Sequence, residues 1–219
     1  MQLQSLNIGD QRLCVSSERS IFWENEKALI LSDLHLGKTG HFRKSGIAVP
    51  QSVYKEDLQR LLHLIQYFRA EKVIVVGDMI HSYANKELDL FKRWRDDFSS
   101  VEFHLVRGNH DILKASWFHD AGVTLHEGAY TINNFCFQHD ADDCDSQEEI
   151  DFLFSGHIHP GIVLNGMGKQ SLRFPCYHFT STSCTLPAFS RFTGAAAISP
   201  QPGDTVFAIV NSSLFEMKF

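Results

Sequence analysis

An α/β (α+β) fold follows from three observations: short apolar runs rich in β-branched and aromatic residues, helical patterns between the early runs, and loss of the helical signal after residue 120. The runs at 3–8, 12–15 and 20–23 lie close together and predict antiparallel edge strands. A buried strand follows at 28–31. Pro50 then opens an amphipathic helix in which Val53, Leu58, Leu61, Leu62, Ile65 and Phe68 line one face. Residues 73–76 make another buried strand, Leu88, Phe91, Trp94 and Phe98 mark a second helix, and 101–106 close this half. Strand, helix, strand, helix, strand in that order predicts parallel pairing in a central sheet. Later runs at 129–132, 135–138, 152–154, 162–164, 171–174, 178–185 and 206–210 predict a mostly antiparallel second sheet packed on the first.

No repeat, low-complexity tract or long linker divides the 219 residues, so one domain spanning 1–219 is expected. A hydrophobic share of 43% supports a sizeable core. No stretch approaches the ~18 apolar residues that a membrane span requires. The opening MQLQSLNIGDQRL has neither a basic start nor an apolar run, so the expectation is a cytoplasmic protein without a membrane partner. Cys14, Cys136, Cys144, Cys176 and Cys184 are scattered without a C-x-x-C pair, which predicts reduced thiols rather than a disulfide framework or zinc knuckle. A net charge of -6 argues against holding nucleic acid by a general positive field. Local grip beside bound cations stays open, because those ions bring charge the sequence count omits.

The decisive pattern lies at the ends of the apolar runs. ALILS leads into Asp33-Leu34-His35, VIVVG into Asp78, FHLVRG into Asn109-His110-Asp111, FCFQ into His139-Asp140, and FLFSG into His157-Ile158-His159. Carboxyl ends of strands are where sites assemble in α/β sheets, so the five segments can converge. A spacing of two turns both members of Asp33/His35 and of His157/His159 to one side if the backbone is extended. Oxygen and imidazole donors suit manganese, zinc or iron rather than centres that want thiolates. Asp78, with two carboxylate oxygens, can bridge two ions, while Asn109 offers a neutral oxygen. Two ions ~3.5–4 Å apart clamp a phosphoryl group and lower a bound water's pKa towards ~7. His110 is placed to assist the leaving oxygen, with Asp111 as its orienting partner.

Other signals carry less. Gly37-Lys38-Thr39 resembles the tail of a phosphate loop, but position 32 is serine where that loop needs glycine. No G-x-S-x-G elbow supports a serine hydrolase. Lys38, His41, Arg43 and Lys44 follow the first donor pair in a loop and can grip phosphates, and His81, shortly after Asp78, can touch substrate. Arg191, His63 and His104 read as structural or surface residues. Asp140 can orient His139 from behind. Phe42, Tyr83, Trp117 and Phe189 read as core aromatics rather than base-stacking platforms.

D-x-H, G-D, G-N-H-D, a later His and G-H-x-H together resemble the signature of calcineurin-like metallophosphoesterases. The resemblance implies a two-sheet β-sandwich flanked by helices with a binuclear metal centre. Carried over by position, one ion takes Asp33, His35, Asp78 and His159, and the other takes Asp78, Asn109, His139 and His157. His110 matches the catalytic histidine. The segments SDLHLGKTGHFRKSGIAVP, GDMIHS, GHIHPGIVL, LRFPCY and LPAFSRFTG are similar to bacterial phosphoesterases associated with DNA ligases and repair nucleases. That subgroup implies a DNA-damage-response endonuclease or phosphodiesterase, and the donor types suit two divalent ions, manganese first and iron or zinc as alternatives. Its substrate is a phosphodiester, with nucleic acid the leading class. A phosphomonoesterase or nucleotide pyrophosphatase of the same fold is the second reading, and a non-catalytic scaffold the third.

Overall fold

The computed structural model describes residues 1–38, 52–81, 86–143, 150–166 and 170–219. Four strands open the chain as an antiparallel meander: β1 (Leu3–Ile8), β2 (Gln11–Ser16), β3 (Ser20–Trp23) and β4 (Ala28–Leu31). From β4 the pairing turns parallel through β5 (Lys72–Val76), β6 (Glu102–Val106) and β7 (Val123–His126). Helices α1 (Ser52–Phe68), α2 (Lys86–Asp96) and α3 (Ala115–Asp120) connect these parallel strands. A parallel pair needs such a crossover, because its strands cannot be joined by a tight turn. The first sheet therefore has the order β1 to β7 without interruption.

Alternation along the central strands divides the core in two. Leu29, Leu31, Val73, Val75, Phe103 and Leu105 face the helices, where α1 supplies Leu58, Leu61, Leu64 and Ile65. Ile30, Ile74, Val76 and Val106 face the second sheet and meet Phe135, Phe137, Phe154, Tyr177 and Phe207. β4 reads as unbroken apolar sequence because both its faces are covered. Burying a side chain the size of Phe154 contributes roughly 1.5–3 kcal/mol. Two polar groups in this layer are satisfied: Trp23 Nε1 donates to Gln11 Oε1 at 2.8 Å, and the Tyr177 hydroxyl donates towards the Ser16 carbonyl at 2.7 Å, tying one sheet to the other.

The second sheet holds β8 (Tyr130–Ile132), β9 (Phe135–Phe137), β10 (Phe152–Ser155), β11 (Pro160–Asn165), β12 (Ser171–Phe179), β13 (Ser183–Thr185), β14 (Ala196–Ala197), β15 (Thr205–Val210) and β16 (Ser213–Lys218). It departs from the expectation in two ways. Pairing is mixed, since β10 runs parallel to both β9 and β13, and β11 parallel to β14. The β9–β10 pairing has a clear consequence: both strands lead into histidines, and only a common direction brings those histidines to one edge. The run expected at 178–185 is not one strand. β12 continues through Pro175 to Phe179, and Thr180 Oγ1 accepts the Ser183 amide at 3.0 Å to close a turn before β13. Pro175 falls where β12 changes partner from β11 to β15, a position that tolerates its missing donor. α3, β7, β14 and β16 were not anticipated from the pattern.

Candidate metal centre

Each element of the centre arises where a buried strand ends and the backbone must leave the sheet. The chain after β4 stays in register with the chain after β5, through Asp33 N to Gly77 O at 3.1 Å and His35 N to Asp78 O at 2.9 Å. These bonds fix Asp33, His35 and Asp78 before any side chain is considered. From the second sheet, the residues after β9 and β10 are clasped by Gly156 N to His139 O at 3.0 Å.

All seven expected donors meet at this edge. Asp33 Oδ1 lies 3.0 Å from His159 Nε2 and 3.9 Å from His35 Nε2, and the two imidazole nitrogens are 3.3 Å apart. Beside them, His139 Nε2 lies 3.4 Å from Asp78 Oδ1 and 3.1 Å from Asn109 Oδ1, while His157 Nδ1 is 3.2 Å from both Asn109 Oδ1 and His139 Nε2. Two groups of mutually close donors emerge: Asp33, His35, His159 and Asp33, Asp78, His139. Asp33 is common to both groups, whereas Asp78, expected from the sequence to be the shared residue, enters only the second.

The route to this convergence differs from the extended D-x-H and H-x-H expectation. Asp33 (φ 54°), His35 (49°), Asp78 (50°), His157 (66°) and His159 (49°) all adopt left-handed backbone. Non-glycine residues rarely do so, each at a cost of ~1–3 kcal/mol that the surrounding structure must hold. As a result the H-x-H pair does not serve a single group. His157 turns to Asn109 and His139, and His159 turns to Asp33 and His35. Close approach also explains two glycines. A Cβ on Gly77 would collide with the His139 ring, and one on Gly156 would collide with Ser32 Oγ and Asp33 Oδ2.

The chemistry of the donor set fits divalent cations. Asp33 is fully buried, and its Oδ1 has no hydrogen-bond donor among the described residues although two ring nitrogens face it. A buried carboxylate oxygen without a donor thus sits beside two ring nitrogens, an arrangement that a cation between them would relieve. Nδ1 of His139 lies 3.1 Å from the Val76 carbonyl, which only accepts, so that nitrogen carries a proton and leaves Nε2 to face Asp78 and Asn109, where a bound cation would take the place of a second proton. Burial holds the His35 imidazole down to about 2, with Lys38 adding to the effect. Burial pushes His139 down as well, but the hydrogen bond and charge of Asp78 lift it to about 9. Asp78 is the reverse case: burial opposes its charge, yet His139, the His110 amide and His35 hold it at about 2.

The remaining predicted residues are placed as follows. His110 is half exposed, its Nε2 3.9 Å from Asp78 Oδ2, and its amide donates to Asp78 Oδ1 at 2.9 Å. His81 sits between two rings, 4.1 Å from His110 and 5.2 Å from His35 by centroid. Asp111 does not turn to the His110 imidazole. Its oxygens accept the amides of Ile80 at 2.8 Å and Gly108 at 2.9 Å, and burial raises its carboxyl to about 7. The geometry makes it a brace between two loops of the centre. Asp140 lies against His157 at 3.7 Å rather than behind His139, whose Nδ1 is taken by Val76. Lys38 reaches Thr193 Oγ1 at 3.3 Å, and burial lowers its ammonium against the pull of Asp33 and Asp78. His41 and Arg43, with Lys44, Phe42, Tyr83 and Cys144, lie outside the described residues. Cys14, Cys176 and Cys184 are buried thiols.

Sequence reasoning missed Ser32, Arg19, Arg173 and Thr193. Ser32 Oγ donates to Asp33 Oδ2 and lies 2.8 Å from the Val76 carbonyl. Arg19 Nη1 donates to the carbonyls of Ala188 at 3.1 Å and Ser190 at 2.8 Å, and the Ser190 amide returns to the Asp33 carbonyl. Ser32, Arg173 and Thr193 lie within segments that carry the subgroup resemblance, but no ligand-type spacing joins them to one another or to Arg19.

A two-sheet sandwich that gathers aspartate, asparagine and histidine at its strand ends defines a metal-dependent hydrolase. The chain belongs to the calcineurin-like phosphoesterase family, whose model matches residues 27–141. It is a metal-dependent phosphoesterase. Among solved structures, it is similar to the nuclease MPE of Pseudomonas putida, at 25% identity and TM-score 0.82 over 99% of this chain and 100% of that one. A phosphoesterase of E. coli, Yfce, shares 12% identity at TM-score 0.45 over 87% of this chain and 97% of that one. No curated protein matches by sequence. Among the described residues no helix is long and apolar enough to cross a membrane.

Proposed function

We propose that residues 1–219 act as one domain that hydrolyses phosphodiester bonds, with nucleic acid as the substrate class and two divalent cations as cofactors. Manganese is the ion of first choice, with iron and zinc as alternatives the same donors accept. The observation that carries the reading is the convergence of seven oxygen and nitrogen donors beside His110 in a fold that matches a nuclease over its whole length.

When bound, the cations supply Lewis acidity and positive charge at the phosphoryl oxygens. Asp33, His35, Asp78, Asn109, His139, His157 and His159 are the residues that would hold them. The part of His110 is to bring a proton to the leaving oxygen, for which its exposed ring and its place beside Asp78 suit it. His81 packs against that ring at a tilt, 4.1 Å between centroids, and restricts its rotation. Asp111 braces the loops beneath, and Lys38 faces the same edge with its ammonium. His41 and Arg43 are proposed, from the sequence, to extend this grip. Resemblance to the ligase-associated subgroup supports a DNA-repair setting, with a repair ligase or nuclease as partner and a cytoplasmic location.

The test is hydrolysis of bis-p-nitrophenyl phosphate against p-nitrophenyl phosphate by purified protein with manganese, followed by single-stranded DNA, double-stranded DNA and RNA. Diester cleavage well above monoester cleavage is expected. Protein with its ions bound that prefers the monoester would overturn the diester reading in favour of a phosphomonoesterase.

A further inference from the structure

A cleft of about 380 Å³ opens beside His159 and runs away from the donor cluster. Its walls bring together Arg19, Arg173, Pro175 and Thr193, and no carboxylate lines it among the described residues. In a chain of net charge -6, that local composition is unusual.

Arg173 is the residue that stands out. Four arginines elsewhere are paired with carboxylates: Arg12 with Glu24 at 3.3 Å, Arg60 with Asp57 at 2.9 Å, Arg107 with Glu127 at 2.7 Å and Arg191 with Glu18 at 2.9 Å. Arg173 has no carboxylate partner among the described residues. Its Nη1 instead donates to the Ala195 carbonyl at 2.7 Å, which orients the guanidinium while using one of five N–H donors. Its stem crosses β11 over Gly161, where a Cβ would come within 2.9 Å of Arg173 Cγ, so the absence of a side chain there lets the arginine lie flat. Opposite, Thr193 Oγ1 accepts from Lys38 Nζ at 3.3 Å, which leaves its own hydroxyl hydrogen to donate. Arg19 adds positive charge at the floor, its guanidinium held by the Ala188 and Ser190 carbonyls. An oriented fork, a hydroxyl and an ammonium around one cleft match a tetrahedral oxyanion.

We infer that this cleft is a second phosphate subsite, in which Arg173 and Thr193 hold the phosphodiester next to the scissile one along a nucleic-acid strand. The inference rests on the nucleic-acid reading above and sharpens it, because it requires a substrate with consecutive phosphates. The centre then takes one phosphate and the cleft the next, so the strand runs past His159 in a fixed direction.

Two measurements on wild type, Arg173→Ala and Arg173→Lys test it. One is binding of a fluorescent single-stranded DNA oligomer by polarisation across a salt series. The other is kcat and KM on that oligomer and on bis-p-nitrophenyl phosphate, which has a single phosphate. Arg173→Ala is expected to raise the oligomer KM by about 10- to 100-fold, the range for a hydrogen bond to a charged group. The slope of log affinity against log salt should shrink by about 0.7, one phosphate's worth on a single strand. Loss on the oligomer should exceed loss on the small diester by at least tenfold, with Arg173→Lys between the two. Equal losses on both substrates would mean that Arg173 only supports the fold, and would overturn the subsite. So would an unchanged oligomer affinity, or a wild type that cleaves the small diester yet binds no oligomer. Oligomer binding that depends on Arg173 in a protein that cleaves neither substrate would leave the subsite standing and remove the phosphodiesterase reading instead. Competition by inorganic phosphate at concentrations that match the oligomer's own affinity would point to a free-anion site and overturn the strand assignment.

Discussion

The two ends of the central parallel strands treat charge in opposite ways. At the amino ends, Lys27 meets Glu71 at 2.5 Å, Lys72 meets Glu26 at 3.4 Å, and Asn133 donates to Glu26 at 2.6 Å. Each donor there has an acceptor. At the carboxyl ends, oxygens crowd against imidazole nitrogens instead: Asp33 Oδ1, which accepts no hydrogen bond among the described residues, against His159 and His35, and Asn109 against His139 and His157. The amino end also has the larger hollow, about 460 Å³ against about 380 Å³ beside His159. Cavity size therefore does not locate the chemistry in this molecule. What locates it is a crowd of oxygen and nitrogen ligand atoms on strained backbone, with Asp33 Oδ1 left without a donor, an arrangement that suits a bound cation.

The sharpest way to break that contrast is Asp78→Ala. Metal content measured by inductively coupled plasma mass spectrometry should fall, with affinity down by more than ~100-fold, since even outer partners of metal ligands cost 10- to 100-fold. Added manganese should raise the melting temperature of wild type and leave the variant's unmoved. Retention of both ions by the variant would show that Asp33 alone can serve as the common residue. His110→Ala comes next. Its ions should stay while turnover falls ~10²–10⁴-fold, as expected for loss of a positioned acid. An equal fall in metal content would place His110 among the ligands instead. The smallest effect belongs to the other end: Lys27→Ala removes a pair whose side chains are 58% and 68% exposed, and should change stability by no more than ~1 kcal/mol in urea unfolding. A larger loss would mean that the amino end, too, holds something its pairing does not reveal.

Much of this contrast was legible in the residues. Apolar runs that end in Asp33, Asp78, Asn109, His139 and His157 announced both the buried strands and their convergence, because burial and metal ligation each demand particular residue types. Heptad-like spacing in Leu58, Leu61 and Ile65 did the same for α1. Other features left no local trace. Left-handed backbone at Asp33 and His159 is imposed by register with neighbouring strands, and neither residue type announces it. α3 has six residues and starts at Lys114 without a side-chain cap, so neither period nor cap marked it. The turn at Thr180–Ser183 lacks glycine and proline and is closed by a threonine hydroxyl instead. Arg19 and Arg173 lie far apart in the chain and share a cleft only because β12 packs beside the first sheet's meander.

The division of the centre between two sheets has a bearing on how the protein comes to be. Asp33, His35, Asp78 and Asn109 belong to the first sheet, and His139, His157 and His159 to the second, with Phe154 and Val76 packed in the layer between. Neither half can ligate fully while the chain is still being made or while the layers are apart. Cation capture is thus a late event that rewards correct docking, and a molecule whose sheets have slipped by one residue would be left both empty and loose.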